Sequence, residues 1–244
     1  MSLHEIHFWG ESIGQCASMM VVLPVSTKPF PVLYLLHGLS DDHTGWTRRT
    51  SIERYVESHH VAVVMPASLR GWYCNDPRPG GWAYEDHIIQ DVIGYIDATF
   101  RTIPDRGGRA VAGLSMGGYG ALMLAMRHAD KFRAACSHSG AMDFLHGHER
   151  EARELYFSIF PPEKYNLFDL AKTHAASGQD VAMRIDCGRE DFLIEANRKF
   201  HAHLQTLGLA HDYEEFDGGH TWDYWDLHVQ KTVTFVMRQL AKTT

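Results

Sequence analysis

Ala110-Val111-Ala112-Gly113-Leu114-Ser115-Met116-Gly117-Gly118-Tyr119-Gly120-Ala121 carries the pattern G-x-S-x-G at residues 113–117. Composition alone produces such a match in about one chain in twelve of this length, so the bare pattern decides little. Its surroundings decide more. An apolar run over 110–113 predicts a strand, and a run of small and apolar residues over 118–128 predicts a helix. A serine on a tight strand-to-helix turn is held out as a nucleophile, in a strained backbone conformation. Side chains at Gly113 and Gly117 would collide with the neighbouring strand and helix, which explains both glycines. The competing account is a Gly-rich β–α turn with a capping serine.

The same alternation runs along the chain. Short apolar stretches predict strands over 19–23, 32–36, 61–65, 134–137, 181–187 and 213–216. Helical patterns lie over 52–58, 84–100, 197–207 and 225–240, the second with Ile88, Ile89, Val92, Ile93 and Ile96 at helical spacing. Continuous apolar strands alternating with amphipathic helices mean an α/β fold, a mostly parallel central sheet with helices on both faces. The stretch at about 142–173 breaks the rhythm, with more charge and aromatics and the pair Pro161-Pro162. It reads as a small cap insertion over the sheet, too short for a core of its own. One domain over 1–244 is expected.

Composition narrows the function classes. The 244 residues are 45% hydrophobic and 22% charged, which excludes global disorder. A net charge of −7 argues against a nucleic-acid protein, which would carry a basic face. No apolar run reaches the length of a membrane span, and no signal peptide is visible after Met1. Cys16, Cys74, Cys136 and Cys187 form no CxxC pair, so zinc ribbons and thioredoxin chemistry lose support. Reduced cysteines in a cytoplasmic protein are expected, with Cys136 and Cys187 buried.

A serine hydroxyl needs a base, and in this strand–turn–helix setting the partners follow in the order Ser, acid, His. Of 17 histidines, His220 stands out, in the loop Gly218-Gly219-His220-Thr221-Trp222 between a strand and the last helix. The acid should follow the strand at 181–187, where Asp186, Glu190 and Asp191 are candidates. Asp191 is favoured because its shorter side chain is easier to fix against an imidazole, with Glu190 as the alternative. Two N–H donors must meet the oxyanion. Met116 supplies one, and Leu39, after the turn at Gly38, the other. His37 reads as orienting that loop.

These motifs, together with Cys187-Gly188-Arg189-Glu190-Asp191-Phe192-Leu193 and Gly219-His220-Thr221-Trp222, resemble the esterase D branch of the α/β-hydrolases. The branch includes S-formylglutathione hydrolases, tributyrin esterases and, more distantly, mycolyltransferases and feruloyl esterases. Leu33-Tyr34-Leu35-Leu36-His37-Gly38, Trp46, Met65-Pro66 and Trp72-Tyr73-Cys74-Asn75 are most similar to the tributyrin esterases. The resemblance implies the α/β-hydrolase fold. It implies Ser115 as nucleophile, Asp191 as acid and His220 as base, with oxyanion N–H groups at Leu39 and Met116.

The expected activity is that of a serine carboxylesterase on short-chain acyl esters. A formylglutathione-type thioesterase and a non-catalytic scaffold are the alternatives. Trp46 and Trp222 are the expected substrate-binding residues, walling an acyl pocket. His146-Gly147-His148 and His201-Ala202-His203 lack a third ligand, so no metal is expected, and the glycine spacing implies no cofactor. The expected partner is a small-molecule ester, with no nucleic acid and no membrane. Assembly into a homo-oligomer stays open.

Overall fold

The computed structural model describes residues 1–143 and 160–241. Among them, eight strands form one sheet: β1 (Ser2–Gly10), β2 (Gln15–Leu23), β3 (Val32–Leu36), β4 (Ala62–Pro66), β5 (Arg109–Leu114), β6 (Ala134–His138), β7 (Ala182–Gly188) and β8 (His211–Phe216). Their spatial order is β1-β2-β4-β3-β5-β6-β7-β8. β1 and β2 are an antiparallel hairpin and β2 runs antiparallel to β4, while the remaining pairings are parallel. This is the mostly parallel sheet expected from the sequence.

The central strands β3, β4, β5 and β6 are buried at every residue. Successive side chains alternate between two cores. Val32, Tyr34 and Leu36 pack on one face with Val64, Val111 and Leu122. Leu33 and Leu35 pack on the other with Val63, Ala112, Ile52 and Val229. Burial on both faces is why these strands read as unbroken apolar runs. β1 has no counterpart among the predicted strands. His4, Glu5 and His7 interrupt its pattern and most of it is exposed, so pairing with β2 at the sheet edge forms it rather than burial.

The helices are α1 (Gly45–Arg49), α2 (Ile52–Val56), α3 (84–99), α4 (Met116–Arg127), α5 (Pro162–Tyr165), α6 (Leu167–Ser177), α7 (Ile194–Thr206) and α8 (Trp222–Leu240). α3 contains a π-helical segment, His87–Val92. There Asp91 accepts from His87 Nδ1 at 2.8 Å and from Ser12 N and Oγ at 3.0 and 3.1 Å, fastening the helix to the β1–β2 turn. α4 is buried from Met116 to Met126, a helix enclosed on all sides. Glu85 of α3 ties it down: the buried carboxylate accepts from Arg127 Nε and His128 Nε2, both at 2.7 Å, and from Tyr165 Oη at 2.8 Å.

Of the stretch expected to form a cap, residues 144–159 lie outside the described residues. Its far end does not belong to a cap. Residues 167–173 lie in α6, which is capped by Asn166 and packs against α4 and α7 in the helical layer. The Asn166 cap and the αL residue Gly178 (φ 68°) bound a regular crossover helix that the mixed composition concealed.

Leu35 is fully buried at the centre of the sheet, whereas Leu3 on β1 is 41% exposed. Leu35→Ala should cost roughly 2–5 kcal/mol of unfolding free energy in urea. Leu3→Ala should stay within about 0.5 kcal/mol. Equal losses would mean that the edge hairpin is part of the core.

Candidate active site

Ser115 is the single residue between the end of β5 and the start of α4, with φ 54° and ψ −115°. A non-glycine residue in this region costs about 1–3 kcal/mol, so its surroundings must hold it there. They do so with hydrogen bonds: Ser115 N–H donates to His138 O at 2.9 Å, and Ser115 O accepts from Tyr119 N at 3.0 Å and Ala141 N at 3.2 Å. The turn is also crowded. A Cβ on Gly113 would lie 2.4 Å from Gly117 O, and one on Gly117 would lie 2.5 Å from Leu36 O.

The fold brings three predicted residues into line. His220 Nε2 lies 3.0 Å from Ser115 Oγ, and His220 Nδ1 lies 2.9 and 3.1 Å from the two oxygens of Asp191. A carboxylate only accepts, so Nδ1 carries the proton and Nε2 is free to accept from the serine hydroxyl. Trp225 packs edge-on against the imidazole, 4.8 Å between centroids, and Phe192 flanks it at 4.5 Å. Burial opposes the charge on Asp191, but His220, the Leu193 N–H and the Ser139 hydroxyl outweigh it and hold the carboxyl below its ordinary range. Glu190, the alternative acid, instead accepts from Gly218 N.

The loop after β3 is tied from behind. His37 is buried and donates from Nδ1 to Gly38 O at 2.8 Å, while its Nε2 accepts from Ser68 N–H at 3.0 Å. Burial lowers its pKa, so the neutral ring serves as a brace. Tyr73 Oη adds a bond to His37 O at 2.9 Å. Leu39 then borders a cleft of about 420 Å³ together with Ser115, His220 and Trp222.

Trp46 is not in that cleft, contrary to expectation. Its side chain is fully buried and its indole N–H donates to Leu36 O at 3.0 Å. It meets Trp222 edge-on, 5.4 Å between centroids, from within the core. A large aromatic shortly after a catalytic-looking loop fits a wall or a core equally well, and here the β3 carbonyl draws it inward. The His146 and His148 pair lies outside the described residues. His201 Nδ1 bonds His211 Nε2 at 2.7 Å and His203 Nε2 bonds Phe168 O at 2.8 Å, so neither points to the site. Among the described residues no group of three or more His, Cys, Asp or Glu could hold a metal ion.

Asp186, one of the three candidate acids, belongs instead to a buried cluster whose other members escaped the sequence reading of the site. His138 is fully buried; its Nδ1 lies 3.0 Å from Asp186 Oδ1 and its Nε2 lies 2.9 Å from Thr232 Oγ1. Tyr224 Oη donates to the same carboxylate at 3.0 Å, and Arg184 pairs with it. Burial works against ionised Asp186, yet His138 and Arg184 pull its pKa from 3.8 to about 2. The cluster reaches the site through backbone: His138 O holds Ser115 N–H, and Asp186 O accepts from Ser139 N at 2.7 Å. Ser139, at φ 47°, accepts from Trp225 Nε1 at 3.3 Å. Arg184 and Asp186, two apart on one face of a buried strand, were the available signal.

A sequence model of the family described as "Putative esterase" matches residues 10–235. The chain belongs to this esterase family. It is 25% identical to an acetyl esterase of Caldicellulosiruptor saccharolyticus, covering 94% of this chain and 96% of the relative. The structure is similar to the S-formylglutathione hydrolase FrmB of Staphylococcus aureus, with a TM-score of 0.86 and 28% identity over 97% of this chain and 98% of that one. It is similar also to FphF, a fluorophosphonate-binding serine hydrolase of Staphylococcus aureus, with a TM-score of 0.84 and 29% identity, again over 97% and 98%. The esterase D resemblance and the α/β-hydrolase fold read from the sequence are borne out, and this member of the esterase family is an ester-hydrolysing enzyme. Among the described residues no helix is long and apolar enough to cross a membrane.

Removing one partner of a buried charge cluster leaves the others unpaired. Asp186→Asn in this esterase should therefore cost roughly 3–5 kcal/mol in urea unfolding. Acid acts on the same groups. Burial works against ionised Glu85, but hydrogen bonds from His128, Arg127 and Tyr165 and the charge of Arg127 overcome it and lower its pKa from 4.5 to about 2, as His138 and Arg184 do for Asp186. A carboxyl depressed in the folded state binds its proton more readily when unfolded, so its stabilisation is full above the ordinary carboxyl values. It drains as pH falls towards about 2. Urea midpoints measured from neutral pH down to about 2 should fall steeply across that window; a flat profile would contradict the assignment.

Proposed function

We propose that this protein is a serine carboxylesterase for short-chain acyl esters, working through Ser115, His220 and Asp191 and a covalent acyl-enzyme. The observation that carries this reading is the continuous hydrogen-bonded line from Ser115 Oγ to His220 at 3.0 Å and on to Asp191 at 2.9 Å. Ser115 Oγ attacks the ester carbonyl as His220 Nε2 takes its proton. Asp191 keeps the ring in the required tautomer and stabilises the imidazolium. The oxyanion is received by the N–H groups of Leu39 and Met116. Met116 is the first residue of α4, where an N–H has no carbonyl one turn earlier, and Leu39 borders the cleft. His220 then gives its proton to the leaving oxygen, and water attacks the acyl-enzyme by the reverse route.

The short-chain preference rests on the cleft, whose about 420 Å³ is walled by Trp222 and Trp225 beside the nucleophile. A thioesterase acting on S-formylglutathione is the second reading, favoured by the similarity to FrmB. The four cysteines are free, three of them buried, which suits the cytoplasm.

Ser115→Ala should lose on the order of 10³-fold or more in kcat while folding stays nearly intact. His220→Ala should also abolish turnover, and His201→Ala and His203→Ala should not. Near-normal hydrolysis by either of the first two variants would remove the assignment.

A series of p-nitrophenyl esters from acetate to palmitate tests the substrate size. We expect kcat/KM to peak between acetyl and butyryl and to decline steadily, each methylene being worth roughly 1–3 kcal/mol at most. A maximum at long chains would refute the short-chain reading.

A further inference from the structure

The cleft over Ser115 is not the apolar slot that an alkyl chain alone would call for. Beside His220 and Trp222, its lining includes the guanidinium residues Arg48 and Arg49, from the end of α1. The two arginines differ in their commitments. Arg48 Nε donates to Thr44 Oγ1 at 2.6 Å, and its terminal nitrogen lies 3.6 Å from Asp41 and 3.7 Å from Asp42. Asp41, which also lines the cleft, is thus faced by a cation already and takes a further bond from Asp42 N at 2.9 Å. Arg49 is exposed and, among the described residues, has no ion pair.

An uncommitted guanidinium at the mouth of an active site is out of keeping with a chain of net charge −7. The overall field of such a molecule weakly repels anions, so any preference for an anionic substrate must come from a local contact. Guanidinium offers a planar fork of donors that matches a carboxylate, a geometry an ammonium lacks. The direction follows from the mechanism. His220 must protonate the leaving atom, so the leaving group lies on the imidazole side, and the cleft that His220 and Trp222 border continues to the arginines. The bland alternative is a solvated arginine complementing the last turn of α1. That role would leave every substrate equally affected.

We propose that Arg49 is a specificity residue that binds a carboxylate on the leaving group of the substrate, with Arg48 holding Asp41 neutralised beside it. The proposal rests on the Ser115–His220 reading of the site. Its substrates are acyl esters of an alcohol or phenol that bears a carboxylate some atoms away from the scissile bond. Hydrolysis releases the free acid and the carboxylate-bearing alcohol or phenol, with water supplying the hydroxyl and the proton.

A matched pair of substrates tests this. 4-Acetoxybenzoate and 4-acetoxybenzamide share the acyl group and the ring and differ in one charge on the leaving phenol. The wild type should show the higher kcat/KM on the anion, and added salt should shrink the difference. Arg49→Gln should lower the anion-to-neutral ratio roughly three- to tenfold, mainly through KM, and Arg49→Lys should recover part of it. An unchanged ratio, or equal losses on both substrates, would overturn the proposal. A second pair, p-nitrophenyl hydrogen succinate and p-nitrophenyl butyrate, moves the carboxylate to the acyl side. If Arg49→Gln altered that ratio and not the first, the leaving-group assignment would be overturned. Failure of the wild type to hydrolyse the neutral 4-acetoxybenzamide in a Ser115-dependent way would instead strike the catalytic reading beneath it.

Discussion

The backbone of Ser115 is held at φ 54° by a hydrogen bond from its N–H to His138 O at 2.9 Å, and the rest of the site is arranged around that one residue. β5 cannot turn directly into α4 with Ser115 between them unless the residues two before and two after it carry no side chain, because Gly117 comes against the Leu36 carbonyl and Gly113 against Gly117. The closeness of β3, β5 and α4 therefore depends on two missing Cβ atoms. In return the serine side chain stands clear of the sheet, facing a loop that another strand delivers.

Support for the strained turn is electrostatic as much as apolar. Two buried carboxylates act as anchors. Glu85 clasps the far end of α4 through Arg127 and His128, and Asp186 gathers His138, Arg184 and Tyr224 beneath the near end. Ionised groups in an interior are costly, and they persist only when their lone pairs are filled. Here the partners come from different elements, so each carboxylate also fixes how a helix sits on the sheet. The polarity that burial penalises is spent on geometry, and Asp191 benefits through the Ser139 turn.

Much of this was legible in the residues. The run at 32–36 is β3 to the residue, and the glycine spacing around Ser115 gave both the turn and the reason for it. Asp191 and His220 were candidates because each lies in a loop after a strand, Asp191 being preferred to Glu190 for its shorter side chain, and the fold brings both into line with Ser115. The illegible parts have physical causes. β1 lies on an edge, where pairing rather than burial holds a strand, so polar residues carry no penalty and leave no pattern. The π-helical segment of α3 preserves apolar spacing closely enough to pass for an α-helix. Trp46 was misassigned because composition cannot say whether an aromatic closes a core or lines a cleft. The His138–Asp186–Thr232 cluster joins residues 94 apart, a pairing that only the fold supplies.

The account turns on a covalent intermediate at Ser115. The most direct measurement is to mix the enzyme with p-nitrophenyl acetate, quench in acid within the first turnover and locate the acetyl group by peptide mass spectrometry. A burst of p-nitrophenol with acetylation confined to the peptide bearing Ser115 is the predicted result. Turnover without a burst, or an acetyl group on any other residue with Ser115 unmodified, would contradict it.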